Sequence, residues 1–144
     1  MSEVARYVQD PGPQHFVALK RIFRYLRGTT DYGFLYKRDL ETKVSLVGYS
    51  DSDWAGDHDT RRSTSDYILF LNGCPVSYRT KMQTSTALSS CEAETIAASL
   101  AGQEVLWLRT VIQELGFSQI EPTVLLQDNQ GAIAFSKSEV NHSK

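Results

Sequence analysis

The sequence predicts an α/β fold on a mixed sheet: three successive antiparallel strands, a long crossover helix, a parallel strand and a further helix, all preceded by an amphipathic helix. Three observations carry that expectation. Two β-prone runs, Tyr67 to Leu71 and Pro75 to Tyr78, flank Asn72-Gly73, a strong hairpin signal. Ser89-Ser90-Cys91-Glu92 has the form of a capping box, and helical periodicity follows it to about Leu115, with Gly116 as the stop. An apolar run from Thr123 to Leu126 comes next. A strand, crossover helix and strand are normally parallel and right-handed, so the first and last strands become neighbours.

Asp10-Pro11-Gly12-Pro13 marks a turn, and Pro13 suits a first helical position. From Gln14 to Leu26, residues Phe16, Leu19, Phe23 and Leu26 recur at spacings of three and four, opposite Lys20, Arg21, Arg24 and Arg27. That pattern predicts an amphipathic helix packed on the body and ending at Gly28. Tyr32 to Tyr36 reads as a short strand, Asp39 to Lys43 as a loop and Val44 to Tyr49 as the first strong strand. In the long helix, Ala93, Ala97, Leu100, Leu108, Val111 and Leu115 mark an apolar stripe with Trp107 beside it, and Gly102 is a candidate kink or break. Pro122 precedes the last strand, Gln127-Asp128-Asn129-Gln130 ends it, and Gly131 to Ser136 begins another helix.

With 144 residues, 41% apolar and 22% charged, the chain suits one globular domain with a modest core, which excludes disordered and fibrous classes. The net charge of -2 excludes a strong overall nucleic-acid footprint, but the distribution is uneven: residues 1 to 40 carry +3 and the remainder -5. Cys74 and Cys91 have no metal-ligand spacing, so a reduced compartment is the default, with one disulfide left open. Met1 to Asp10 lacks the apolar core of a secretory signal, and no apolar run approaches the roughly 20 residues of a membrane span. A cytoplasmic or nuclear location without membrane contact is the expectation.

The chemistry is concentrated in Tyr49-Ser50-Asp51-Ser52-Asp53-Trp54-Ala55-Gly56-Asp57, where a strand-like run delivers two carboxylates and then breaks into a polar turn. An isolated D-x-D is more often a solvated turn, and Asp53 and Asp57 are read that way. Asp51 differs because two further acids fall where the topology returns to it. Asp128 ends the parallel strand, and Glu94 lies one turn into the crossover helix. Ligands in open α/β sheets gather at the carboxyl ends of the strands. Three carboxylates converging there suit hard divalent cations, Mg²⁺ first and Mn²⁺ second, and two such ions about 4 Å apart hold and hydrolyse a phosphodiester.

Gly48-Tyr49-Ser50-Asp51-Ser52-Asp53-Trp54-Ala55-Gly56-Asp57, Arg61-Arg62-Ser63-Thr64-Ser65, Ala87-Leu88-Ser89-Ser90-Cys91-Glu92-Ala93-Glu94, Leu106-Trp107-Leu108-Arg109 and Asp128-Asn129-Gln130-Gly131-Ala132-Ile133 closely resemble the ribonuclease H domain of copia-type retrotransposon polyproteins. Phe23 to Gly33 is similar to the segment that precedes that domain. The resemblance implies a ribonuclease H-like mixed sheet in residues 41–144, behind a helical connection segment in residues 1–40. It also implies Mg²⁺-dependent cleavage of the RNA strand of an RNA/DNA hybrid. Motif for motif, Asp51, Glu94 and Asp128 take the catalytic and metal-binding positions, and Glu92 fits the helix cap instead. Domains of that family continue beyond the position matching His142-Ser143-Lys144 into another strand and a helix with a fourth metal-binding residue. The expectation is therefore a truncated domain, lacking that strand and helix, with impaired nuclease activity; His142 in its polar tail reads as solvated.

Arg24-Tyr25-Leu26-Arg27 fits R-x-L-R and looks like the host-targeting motif of secreted oomycete effectors, which enter plant cells and suppress defence. Under that alternative the chain is secreted, its partners are host plant proteins and the tetrad is a targeting motif. Four-residue patterns arise easily, an upstream signal is missing, and Arg38-Asp39-Leu40-Glu41 is a poor substitute for the acidic segment expected to follow.

Overall fold

The computed structural model describes residues 2–36 and 44–138. The expected loop from Asp39 to Lys43, the Arg38 to Glu41 segment and His142 lie outside them. The chain divides into two compact units, Met1–Leu35 and Tyr36–Lys144.

In the first unit a short helix α1 (Ser2–Arg6) precedes α2 (Pro13–Gly28). Pro13 opens α2, and the Gly12 N–H donates to His15 Nδ1 at 2.8 Å, which closes the helix start. The imidazole also stacks on Tyr7 at 4.1 Å. Nothing in the sequence reading marked α1. The expected amphipathic helix forms, but none of its residues is buried, and Phe16 and Phe23 stay more than half exposed. The expected strand from Tyr32 to Tyr36 does not form. Aromatic residues favour strands only where a neighbouring strand accepts their backbone groups.

The second unit is a four-stranded sheet in the order β3-β2-β1-β4, with β1 (Leu46–Asp53), β2 (Thr64–Leu71), β3 (Cys74–Met82) and β4 (Val124–Leu126). The first three strands are antiparallel in succession, and β4 lies parallel to β1, a mixed sheet compatible with a ribonuclease H-like fold. Asn72 and Gly73 turn the hairpin at φ values of 47° and 74°, a left-handed pair that Asn-Gly adopts readily. The Asn72 side chain also accepts from the Ser45 N–H at 2.7 Å, fixing the entry to β1. β1 runs four residues past its expected end because its pairing with β2 continues from Asp51 opposite Asp66 to Asp53 opposite Thr64.

Helix α3 (Ser90–Glu114) crosses one face of the sheet without a break at Gly102. Ser89 caps it by accepting from the Glu92 N–H at 3.1 Å, while the Glu92 carboxylate reaches back one residue further, to the Leu88 N–H at 2.7 Å. The apolar stripe is rotated from its expected line. Ala93, Ala97, Ala101, Val105 and Ile112 are the buried positions, whereas Leu115 and Trp107 are exposed. A run of alanines at intervals of four brings the helix axis close to the sheet, and that closeness is met from below by glycine. A Cβ on Gly48 would stand 2.7 Å from Leu69 and 2.8 Å from Leu125.

Leu69, fully buried, is the centre of a core that includes Leu46, Tyr67, Ala101, Val105 and Ile112. Burial first, and the negative charge of Glu104 second, raise the Tyr67 phenol above its ordinary value, against an opposite pull from Ser77 and Arg79. A raised phenol favours the neutral form in the fold. Its stabilising contribution is therefore complete below pH ~10 and is lost as the pH climbs through the folded value. Alkaline melting curves are expected to fall more steeply for the wild type than for Tyr67→Phe.

The segment before β4 is gripped at three points by Arg109. The Arg109 guanidinium donates to the Glu121 carbonyl at 2.8 Å, to Thr123 Oγ1 at 2.9 Å and to the Gln119 carbonyl. This places a functional weight on the Leu106-Trp107-Leu108-Arg109 motif, since β4 has only three paired residues of its own. Arg109→Met is expected to destabilise the docked strand by about 2 kcal/mol. Faster amide hydrogen exchange across Val124–Leu126, with β2 unchanged, would register it.

Candidate metal centre

Three elements meet at the carboxyl end of β1. Asp51 is supplied by β1 two residues before the strand ends, Glu94 by the second turn of α3, and Asp128 by the turn two residues beyond β4. Each offers an oxygen, and the three oxygens lie within 4.8 Å of one another. Asp51 and Asp128 are exposed, whereas Glu94 is 5% exposed. The parallel pairing of β1 with β4, Tyr49 beside Leu126, is what carries Asp128 to Asp51.

The surrounding hydrogen bonds fix the acids rather than neutralise them. The Ser52 N–H donates to Asp51 Oδ1 at 2.8 Å and to Glu94 Oε1 at 3.2 Å, so one backbone donor serves two carboxylates. Gln127 Nε2 donates to Glu94 Oε2 at 2.8 Å and to the Glu94 carbonyl at 2.9 Å. The start of α3 is tied to the sheet by Gln83, which is buried and donates to the Ala93 carbonyl at 2.9 Å and to Ser65 Oγ at 2.8 Å. Asn129 caps helix α4 (Gln130–Ser136) by accepting from the Ala132 N–H at 2.9 Å, which aims the chain away directly after Asp128.

Other acids of the expected cluster stand apart. Asp53 is exposed, and its carboxylate lies against Gly56, where a Cβ would stand 2.1 Å from Oδ2. Asp57 was expected in a solvated turn but is 7% exposed. It organises the turn instead, accepting from the Thr60 N–H and hydroxyl, both at 2.7 Å. Ser63, in the Arg61 to Ser65 motif, is fully buried and accepts from the Ala55 N–H at 3.0 Å, which supports Ala55 at a positive φ of 53°. Both motifs therefore shape the loop that follows the site. Cys74 and Cys91 are not joined in a disulfide.

Asp66 was missed by the sequence reading. It stands opposite Asp51 in the β1–β2 register and lines, with Asp51, Asp128, Tyr49, Tyr78 and Leu126, a cleft of about 490 Å³ on the sheet face away from α3. Like charges opposed across a ladder cost stability in the absence of a compensating charge. Gln83 and Gln127 were also missed. Only the adjacency of Gln127 to Asp128 signalled either of them.

Arg24, Tyr25, Leu26 and Arg27 occupy the last turns of α2, all exposed. No described helix is long and apolar enough to cross a membrane.

Comparison with known proteins adds lineage to this geometry. The chain is 41% identical over 141 residues to the retrovirus-related Pol polyprotein from transposon TNT 1-94 of Nicotiana tabacum, matching 98% of this chain. It is 38% identical over all 144 residues to the corresponding polyprotein from transposon RE2 of Arabidopsis thaliana. It is also 51% identical over 105 residues, 73% of this chain and 72% of the relative, to secreted RxLR effector protein 161 of Plasmopara viticola. The chain is homologous to a region of transposon Pol polyproteins and shares a family with secreted RxLR effector protein 161, most of whose length it matches. It spans 10% of the length of each of these Pol polyproteins, so it corresponds to one region of such a protein. No protein-family model and no solved structure matches this Pol-related chain.

Proposed function

We propose that this Pol-like region is a ribonuclease H-like unit that hydrolyses the RNA strand of an RNA/DNA hybrid with divalent cations. The observation that carries the reading is the convergence of Asp51, Glu94 and Asp128 from two parallel strands and their crossover helix within 4.8 Å. The donor set fits Mg²⁺: all ligands are hard carboxylate oxygens, two of them exposed, which leaves room for water and substrate phosphate. Mn²⁺ fits the same set.

Asp51 at the end of β1, Asp128 just beyond the neighbouring parallel strand β4 and Glu94, fixed from two sides, would together hold the cations. When bound, Mg²⁺ neutralises the charge that builds on the phosphodiester and lowers the pKa of the attacking water. The cleft lined by Asp66, Tyr49 and Tyr78 leaves the two exposed carboxylates open to a large substrate. Calorimetry with Mg²⁺ and Mn²⁺ on the wild type and Asp51→Asn, alongside cleavage of a labelled hybrid, tests the reading. Binding and cleavage by the wild type, both lost in the variant, are expected; no binding to the wild type would sink it.

A second reading rests on the 51% identity to a protein named as a secreted RxLR effector and on the exposed tetrad Arg24 to Arg27. Under it the chain is exported, enters plant cells and acts on host proteins there. Defence suppression in leaf tissue that is lost in an Arg24→Ala, Arg27→Ala variant would favour this reading over the nuclease.

A further inference from the structure

We propose that Gln127 is the positioning residue of the metal centre: its side-chain amide sets the Glu94 carboxylate and couples it to Asp128. The inference rests on the nuclease reading above and deepens it.

The sheet alone does not fix Asp128. The β1–β4 ladder ends at the pair Tyr49 and Leu126, so Asp128 lies two residues beyond the last ladder contact. What crosses from that unladdered segment to α3 is Gln127 Nε2, which donates to Glu94 twice, through the backbone carbonyl at 2.9 Å and through Oε2 at 2.8 Å. Both hydrogens of the amide are thereby used on one residue. A donor that grips the backbone carbonyl and the carboxylate of the same residue restrains the distance between them, and hence the side-chain rotamer. Glu94 Oε2 is held by Gln127 and Oε1 by the Ser52 N–H, so the carboxylate plane is set from the β4 side and the β1 side together. Gln127 and Asp128 are consecutive, and a shift of one moves the other. One side chain therefore governs the separation of two of the three ligands.

A neutral donor suits this role. A lysine or arginine in its place would compete with the cation for Glu94, whereas an amide orients the carboxylate and leaves its charge available. Groups of this kind, which hold a metal ligand without touching the metal, typically change metal affinity or activity by about 10- to 100-fold when removed.

The test uses Gln127→Met, close in shape and without a donor. Mn²⁺ affinity by calorimetry is expected to weaken by about 10-fold or more. The metal concentration for half-maximal hybrid cleavage should rise by a similar factor while KM for the hybrid stays constant, and the melting temperature in EDTA should hold within a few degrees. In wild-type protein the Gln127 side-chain amide protons should exchange with solvent more slowly than those of exposed glutamines. Unchanged Mn²⁺ affinity in Gln127→Met, or freely exchanging amide protons in the wild type, would overturn the assignment even if the wild type binds metal and cuts hybrid. Failure of the wild type to bind metal would overturn the nuclease reading, and this assignment with it.

Discussion

Asp128→Asn is expected to lower hybrid cleavage by about a thousandfold, equivalent to about 4 kcal/mol of lost transition-state stabilisation. The substitution keeps the shape of the side chain and removes one of two exposed carboxylates whose oxygens converge with that of Glu94. Its effect on stability should have the opposite sign. In EDTA the three acids face one another without a cation, and replacing one by a neutral amide relieves that repulsion, so the melting temperature is expected to stay level or rise. Added Mg²⁺ should raise the melting temperature of the wild type and leave the variant unmoved. A variant that loses activity only because it unfolds would show the reverse pattern in EDTA. Cleavage that survives Asp128→Asn would remove Asp128 from the site.

Leu69→Ala should give the largest loss of stability, about 3 kcal/mol from the removed side chain and the cavity left behind. Leu69 is fully exposed to packing and not at all to solvent: it lies in the central pair of strands, against Gly48 and under α3. For a unit of this size the melting temperature is expected to fall by about 15 °C, as followed by circular dichroism. Leu69→Met, which conserves volume, should cost less than about 1.5 kcal/mol. The two strands that Leu69 joins to α3 also carry Asp51 and face Glu94, so a collapsed core would move the ligands apart. Cleavage at a temperature where Leu69→Ala remains folded should therefore fall as well.

The parts of the fold that were legible in the sequence are those fixed by local chemistry. Asn72-Gly73 specified its turn, Ser89 its cap, and Gly116 the helix end, because each is settled by the backbone within a few residues. The acids Asp51, Glu94 and Asp128 could be placed together because strand, crossover helix and parallel strand leave few alternatives. What the sequence hid depends on partners distant in the chain. Tyr32 to Tyr36 has the composition of a strand and no ladder. The stripe of α3 turned on which alanines met the sheet, and Leu115 and Trp107 were as apolar as the residues that did. Asp57 looked like its acidic neighbours until Thr60 and the fold of the loop enclosed it. Gln127 carried no signal beyond its position, since an amide's role depends on what lies at the other end of its hydrogen bonds.

The shortness of β4 has a consequence for how this centre takes up a cation. Asp51 and Glu94 are built on an eight-residue strand and the longest described helix, while Asp128 follows a strand of three residues held by Arg109 and Gln127. The complete ligand set requires this last piece to be docked, and any undocked fraction would lower the apparent affinity in proportion. Anything that raises the docked population, whether a cation, a substrate or a neighbouring part of a longer polyprotein, would therefore tighten cation binding without touching a single ligand. The centre is as strong as its most weakly anchored strand.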